Sequence, residues 1–272
     1  MRILPLLFLL SLFVVSCGGN RTEAMDNVEE NAKKADDEAA AMAEKAAMAV
    51  KLVPMPATQD FPDAKITSWD YKDGKFTYGY TGYEFAAPTP DADQLMCANS
   101  DKGQHAHLII DNEPYIAKYE PEFEQKIEDG AHTILTFLSR SYHESIKNGT
   151  AFRAWNVEVK NGAFTKKNPV TEPMLFYSRP KGKYTGKKAT ENVMLDFYPV
   201  NAELGEGGYQ VKAVVNGKDE FMIDEWKPYY LQRLPMGENT VQLTLMKDGK
   251  AVEAPLNPVT REFVLEGAPT DS

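Results

Sequence analysis

Only four histidines serve this chain of 272 residues. Two of them stand one residue apart in Gly103-Gln104-His105-Ala106-His107-Leu108-Ile109-Ile110-Asp111. The apolar run reads as a strand, and residues two apart on a strand project from the same face. Two imidazoles so placed can grip a metal ion, since imidazole suits zinc and copper. Two ligands do not complete a site, so a third must come from elsewhere in the fold. If 105–110 and 132–138 are antiparallel neighbours, the start of the first meets the end of the second. The segment Ser139-Arg140-Ser141-Tyr142-His143-Glu144-Ser145 then arrives beside the pair. His143 is the expected third imidazole, and Glu144 a fourth ligand or a partner that orients a ring. Arg140 and Lys147 offer the alternative of an anion pocket at the same place. The candidate ligand site is therefore His105, His107, Arg140, His143 and Glu144. Cys97 could add sulfur, which favours copper(I), although a lone thiol is more often buried and inert. His132 follows Gly130 and is expected to tie a turn to nearby backbone.

Such a site needs a frame. Beyond Pro54 the sequence predicts strands at Ile66–Tyr71, Lys75–Glu84, His105–Ile110, Tyr115–Tyr119, His132–Ser139 and Ala154–Lys160. More follow at Val193–Pro199, Gln210–Asn216, Glu220–Asp224, Thr240–Met246 and Thr260–Leu265. Asp73-Gly74 between the first two is a strong hairpin signal. Short strands separated by Gly, Pro, Asn and Asp predict β-sandwiches. The chain also repeats itself: GQHAHLIIDNEP (103–114) aligns with GYQVKAVVNGKD (208–219), and EQKIEDGAHTILTFL (124–138) with LQRLPMGENTVQLTL (231–245). His105, His107 and His132 fall opposite Gln210, Lys212 and Asn239, so the fold itself does not demand histidine there. The expected architecture is mainly β: two tandem immunoglobulin-like β-sandwich domains, 60–166 and 170–267, joined near Lys166-Lys167-Asn168-Pro169. The basic stretch Tyr177–Lys183, with Lys187 and Lys188, reads as a solvated loop.

A targeting region precedes the sandwiches. Arg2 and the apolar run Ile3–Val15 lead into Val14-Val15-Ser16-Cys17-Gly18-Gly19. That order predicts a lipoprotein signal peptide over 1–16, with Cys17 becoming the lipid-bearing (palmitate) first residue. Residues 17–52 are rich in alanine and charge. Met25, Val28, Ala32, Ala35, Ala39, Met42, Ala46 and Ala49 repeat at alternating spacings of three and four, which predicts a helical stalk able to form a coiled coil and a homo-oligomer. No other run approaches the ~18 apolar residues of a spanning helix, so the membrane partner is reached through lipid. The net charge of −10 excludes a nucleic-acid footprint, which needs a basic face. Fingerprints of P-loop, dinucleotide, zinc-protease and serine-hydrolase sites are missing, so no enzyme is expected.

The segments His105–Tyr115, Gly130–Thr133, Ser139–Lys147, Glu172–Gly182 and Asp224–Tyr230 are together similar to a family of uncharacterised bacterial lipoproteins often labelled phosphopeptide-binding proteins. The first copy also resembles a small domain that carries His-His-His-Leu-x-x-Asp followed by Gly-x-His-Thr-Leu. The stalk is loosely similar in layout to the major murein lipoprotein. These resemblances imply exported β-sandwiches and no particular activity. The expectation is a lipid-anchored module of the bacterial cell envelope, outer-membrane, periplasmic or surface-facing. It would bind or scaffold an envelope ligand or protein through a site on the first sandwich. The alternatives are a copper- or zinc-binding lipoprotein using His105, His107 and His143, and a purely structural tether.

Overall fold

Strand alternation in the sequence becomes burial alternation in three dimensions. In Lys65–Lys72, Ile66, Trp69 and Tyr71 are buried while the lysines at its two ends are exposed. The computed structural model describes residues 49–267 together with 33, 34, 37, 38 and 42, and four of the latter five are flanking pairs in helical conformation, as is Met42. The signal peptide, Cys17 and most of the stalk lie outside the described residues. From Val50 onward the chain is one compact unit.

The strands run in chain order β1 (Lys51–Pro54), β2 (Lys65–Lys72), β3 (Lys75–Thr81), β4 (His105–Ile110), β5 (Ile116–Lys118), β6 (Glu122–Glu124), β7 (Gly130–Ser139), β8 (Phe152–Lys160) and β9 (Ala163–Pro169). They continue as β10 (Met174–Arg179), β11 (Gly182–Thr185), β12 (Val193–Val200), β13 (Tyr209–Val215), β14 (Asp219–Ile223), β15 (Tyr229–Gln232), β16 (Gly237–Lys247), β17 (Lys250–Ala251) and β18 (Val259–Glu266). The first sandwich packs β2-β3-β6 on β5-β4-β7-β8-β9, and the second packs β1-β15-β12-β10 on β11-β18-β16-β13-β14, with β17 beside β16. Ile66, Trp69, Tyr71, Phe76 and Tyr78 meet Leu108, Ile134, Leu138 and Val157 in the first core. Leu175, Val193, Leu195 and Phe197 meet Val211, Ala213, Leu243 and Phe263 in the second. The β2–β3 turn places Asp73 at φ 54° and Gly74 at φ 77°, the left-handed pair that a two-residue hairpin needs.

The repeat is a structural one. His105 pairs with Ser139 and Ile110 with Ile134; in the second copy Gln210 pairs with Met246 and Val215 with Val241. The corner repeats as well: Asp111 donates its N–H to the Thr133 carbonyl, and Asn216 to that of Thr240.

Two expected boundaries move. Lys51 and Leu52, assigned above to the stalk, belong to β1, which pairs with β15 from Lys51↔Gln232 to Pro54↔Tyr229. The second sandwich therefore takes its edge strand from the chain ahead of the first. The expected join at Lys166–Pro169 lies inside β9, with Pro169 opposite Trp155. Proline is tolerated there because β9 is an edge strand, where a missing N–H interrupts no ladder. The sandwiches are also not independent. Ile109, Tyr115, Leu135 and Phe137 from the first pack with Val170, Met174, Phe176, Tyr198 and Val200 in one shared cluster.

Candidate metal centre

The placement of the histidines follows from strand β4 being buried on both faces. Ala106 and Leu108 enter the first core, while Ile109 faces the second sandwich. Alternation puts His105 and His107 on the face of Ile109. The pair therefore belongs to the first sandwich, as expected, and points from it into the seam with the second. At the equivalent positions of the second copy, Gln210 and Lys212 are half-buried, and Lys212 reaches Glu220 at 2.8 Å.

His143 arrives from the turn after β7. Arg140 N–H bonds the Glu144 carbonyl and His143 N–H bonds that of Arg140, and this tight turn holds His143 at φ 73°. A non-glycine residue there carries a conformational cost of order 1–3 kcal/mol, and such residues cluster at functional sites. The result is close: His105 Nε2 lies 3.0 Å from His107 Nε2 and 2.9 Å from His143 Nδ1. All three ligand atoms lie within 4.8 Å of one another. Zn–N bonds of ~2.0–2.1 Å in tetrahedral geometry require nitrogens roughly 3.3 Å apart, so the two short sides would open by a few tenths of an ångström and the third, within 4.8 Å, would adjust around an ion.

The protonation state also fits. His105 Nδ1 lies 2.8 Å from the Gly103 carbonyl. A carbonyl only accepts, so the single proton of neutral His105 sits on Nδ1 and Nε2 presents a bare lone pair to the other two rings. A backbone carbonyl fixing the tautomer in this way is the usual support of a metal-bound histidine. Gly103 can approach because it has no side chain: a Cβ there would lie 2.5 Å from the carbonyl oxygens of Ala86 and Ala87. His107 Nδ1 faces Ser178 Oγ at 3.3 Å. Burial lowers the pKa of all three histidines. His105 falls to about 4, while His107 and His143 fall well below the ordinary value, helped by the charges of Arg179 and Lys181. Burial thus favours the neutral, ligating form of all three rings.

Strand β10 supplies what the sequence reading missed. The stretch expected to be a solvated loop contains Ser178 and Arg179, both buried. A bulge shifts the register between Tyr177 and Arg179 against β12, and bulges re-aim side chains. Arg179 Cζ lies 5.9 Å from the Tyr115 ring centroid and 5.3 Å from that of Tyr184. Lys181 Nζ donates to the Tyr115 carbonyl at 2.7 Å. Tyr115 stacks on His107 with centroids 3.7 Å apart and planes 3° from parallel. The one available signal was Met174–Arg179 as an uninterrupted apolar-rich run ahead of a proline.

The other expected site residues go elsewhere. Arg140 turns away from the rings: its Nε bonds the Gln59 carbonyl at 2.9 Å, its Nη1 the Ser145 carbonyl at 3.2 Å, and Glu144 Oε1 lies 3.4 Å off. Glu144 is buried with that partner, and burial raises its pKa. Lys147 is held by Asp196 at 2.5 Å, so the expected anion pocket of Arg140 and Lys147 does not form. In each case a buried charge has found an internal partner, which burial demands. Cys97 is buried among Met55, Leu95, Tyr142, Met194 and Tyr230, outside the histidine cluster, and burial pushes its thiol up to about 11. His132 ties the corner: Nδ1 faces Asp111 Oδ2 at 2.6 Å and Nε2 the Glu128 carbonyl at 2.9 Å.

No family model matches the chain, and no curated protein matches it. Among solved structures, fibronectin(III)-like modules of Clostridium thermocellum CbhA align at 13% identity and a TM-score of 0.27, covering 80% of this chain and 95% of theirs. The extracellular domain of the putative hybrid two-component system BT3049 of B. thetaiotaomicron aligns at 11% identity and 0.26, over 76% of this chain and 38% of that one. Bacteroides ovatus SGBP-B, solved with a mixed-linkage heptasaccharide, aligns at 8% and 0.24, over 80% and 71%.

Proposed function

We propose that this chain is an exported, lipid-anchored protein of the bacterial cell envelope that binds a transition-metal ion, copper or zinc, through His105, His107 and His143. One observation carries the reading: three neutral imidazoles converge with their ligand atoms within 4.8 Å, and the tautomer of His105 leaves its inward nitrogen bare. The broader reading, a ligand pocket that includes Arg140 and Glu144, loses its support because those two side chains pair with each other. Binding rather than catalysis is the role, since the sequence carries no catalytic fingerprint. Export and anchoring rest on the order Val14-Val15-Ser16-Cys17 behind an apolar run.

Elemental analysis of the purified full chain tests the metal. After incubation with copper or zinc and gel filtration, wild type is expected to carry one ion per chain. The variant His105→Ala/His107→Ala/His143→Ala is expected to carry none. Equal metal content in the two proteins removes the proposal. Anchoring is tested separately by palmitate incorporation in a bacterial host, which Cys17→Ser should abolish.

A further inference from the structure

Three imidazoles would leave a tetrahedral ion one ligand short. A phenol stands within reach of one of their ligand nitrogens. Tyr115 is buried, and its hydroxyl lies 3.3 Å from His143 Nδ1, the nitrogen that also faces His105 Nε2 at 2.9 Å. Parallel stacking on His107 fixes the ring at 3.7 Å between centroids, so the hydroxyl is held beside the triad by packing. That spacing is close to the separation of two ligand atoms on one tetrahedral ion, roughly 3.3 Å.

Charge points the same way. A divalent ion on three neutral rings would sit near two cations. Lys181 Nζ is 4.0 Å from the Tyr115 ring centroid, and the Arg179 guanidinium is 5.9 Å from it. Arg179 Nε is buried without a hydrogen-bond partner. The carboxylates nearby are committed: Asp196 to Lys147 and Ser145, Glu144 to Arg140. Positive charge that is buried without compensation is costly; burial raises the pKa of the Tyr115 phenol and Arg179 lowers it, so the phenol stays neutral until an ion displaces its proton.

We infer that Tyr115 is the fourth protein ligand, completing a centre of three nitrogens and one phenolate oxygen that takes copper(II) or zinc(II) rather than copper(I). This rests on the metal reading given above. On binding, the metal–oxygen bond forms as the phenol O–H breaks. The proton passes to solvent, and neither metal nor protein changes oxidation state. An oxygen donor among imidazoles favours the harder divalent ions, while copper(I) prefers sulfur.

The experiment is copper(II) loading of the full chain, followed by elemental analysis, visible absorption and resonance Raman spectroscopy. Wild type is expected to hold one copper, with a phenolate-to-copper charge-transfer band and phenolate ring modes under it. Tyr115→Phe should still bind copper through the histidines, lose the band, and bind at least ~10-fold more weakly, the lower end of what even outer-shell changes cost. Tyr119→Phe should keep the band, because that hydroxyl pairs with Ser100 at 2.8 Å. Copper at full stoichiometry in wild type without phenolate modes overturns the assignment and leaves the three-histidine centre standing. So does a band that survives in Tyr115→Phe. Wild type that takes up neither copper nor zinc overturns the metal reading, and this one with it. The Raman measurement on wild type decides the matter even if the variant fails to fold.

Discussion

At the scale of single residues, the informative quantity is protonation. A histidine in water near its usual pKa of ~6.5 loses metal as the pH falls toward 5, since proton and metal compete for one lone pair. Burial holds His105 near 4 and the other two well below the ordinary value. Copper or zinc retention, followed by dialysis between pH 7 and 4.5, is therefore expected to show no step from the rings, only the steady weakening of about tenfold per pH unit that releasing the one proton of Tyr115 imposes; a steeper fall with a midpoint near 6.5 would show that the rings are hydrated and the seam open. The same burial has a cost in the metal-free protein. The folded pKa lies below the unfolded one, so the unfolded chain binds more protons between the two values. The contribution of these rings is thus fully present above ~6.5 and is lost as pH falls toward 4, by roughly 3 kcal/mol for His105 alone. Urea midpoints of chelator-treated protein should fall over that window, and the variant His105→Gln/His107→Gln/His143→Gln should show a shallower fall. Coincident slopes would rule this account out. The residue types and the spacing of His105, His107 and His143 were legible in the sequence because a strand has period two and its antiparallel neighbour fixes register. The fates of Arg140 and Lys147 were not, because their partners Gln59 and Asp196 stand 81 and 49 residues away in the chain.

At the scale of elements, the two copies solve one corner with different chemistry. In the first, both ring nitrogens of His132 face acceptors, Asp111 and the Glu128 carbonyl, an arrangement that favours the doubly protonated, cationic ring. Burial pulls its pKa down, but the Asp111 bond and charge outweigh that and leave it raised. In the second, Asn239 accepts from Asn216 at 2.9 Å and donates to the Pro235 carbonyl at 2.8 Å. The side chain after the strand bonds the first N–H beyond the corner in both, Asp111 to Thr133 and Asn216 to Thr240, each at 2.8 Å. The double variant Asp111→Asn/His132→Asn is accordingly expected to match wild-type stability within ~0.5 kcal/mol at neutral pH. His132→Ala alone should lose about 1 kcal/mol, since the pair is partly exposed. Chemical denaturation measures both, and a double variant as weak as the single one would show that the copies are not interchangeable. Wild type should also lose this contribution as pH rises through the raised His132 pKa, a dependence that the double variant lacks. This equivalence could be read from the aligned repeats, because turn and register recur together. Strand β10 could not: all six of its residues are buried, and a strand buried on both faces has no alternation to recognise.

At the scale of the whole molecule, the histidine cluster of the first sandwich lies against the second, and the chain is arranged to keep them together. It enters through β1 in the second sandwich, builds the first, and returns. That circuit was not visible in the sequence, because a four-residue strand next to an alanine-rich segment carries too little pattern. The seam is packed by Phe137, Tyr198 and Trp226, with ring centroids 5.2 Å and 4.6 Å apart, and none of the three is among the candidate ligands. Affinity should therefore depend on this packing. Tyr198→Ala removes a buried aromatic and is expected to cost ~3–5 kcal/mol of stability. It should also weaken metal binding in the fraction that stays folded, because Ser178 and Arg179 then lose their fixed position against His107. Val159→Ala lies in the first core, away from the seam; it should lower stability by ~1–3 kcal/mol and leave affinity unchanged. Calorimetry of each protein with and without zinc separates the effects. At 100 times Kd an ion that binds only the folded state adds ~2.7 kcal/mol, an upward shift of roughly 5–10 °C for a unit of this size. That shift should be kept in Val159→Ala and reduced in Tyr198→Ala. Equal shifts in both variants would mean that the first sandwich holds the metal without help from the second.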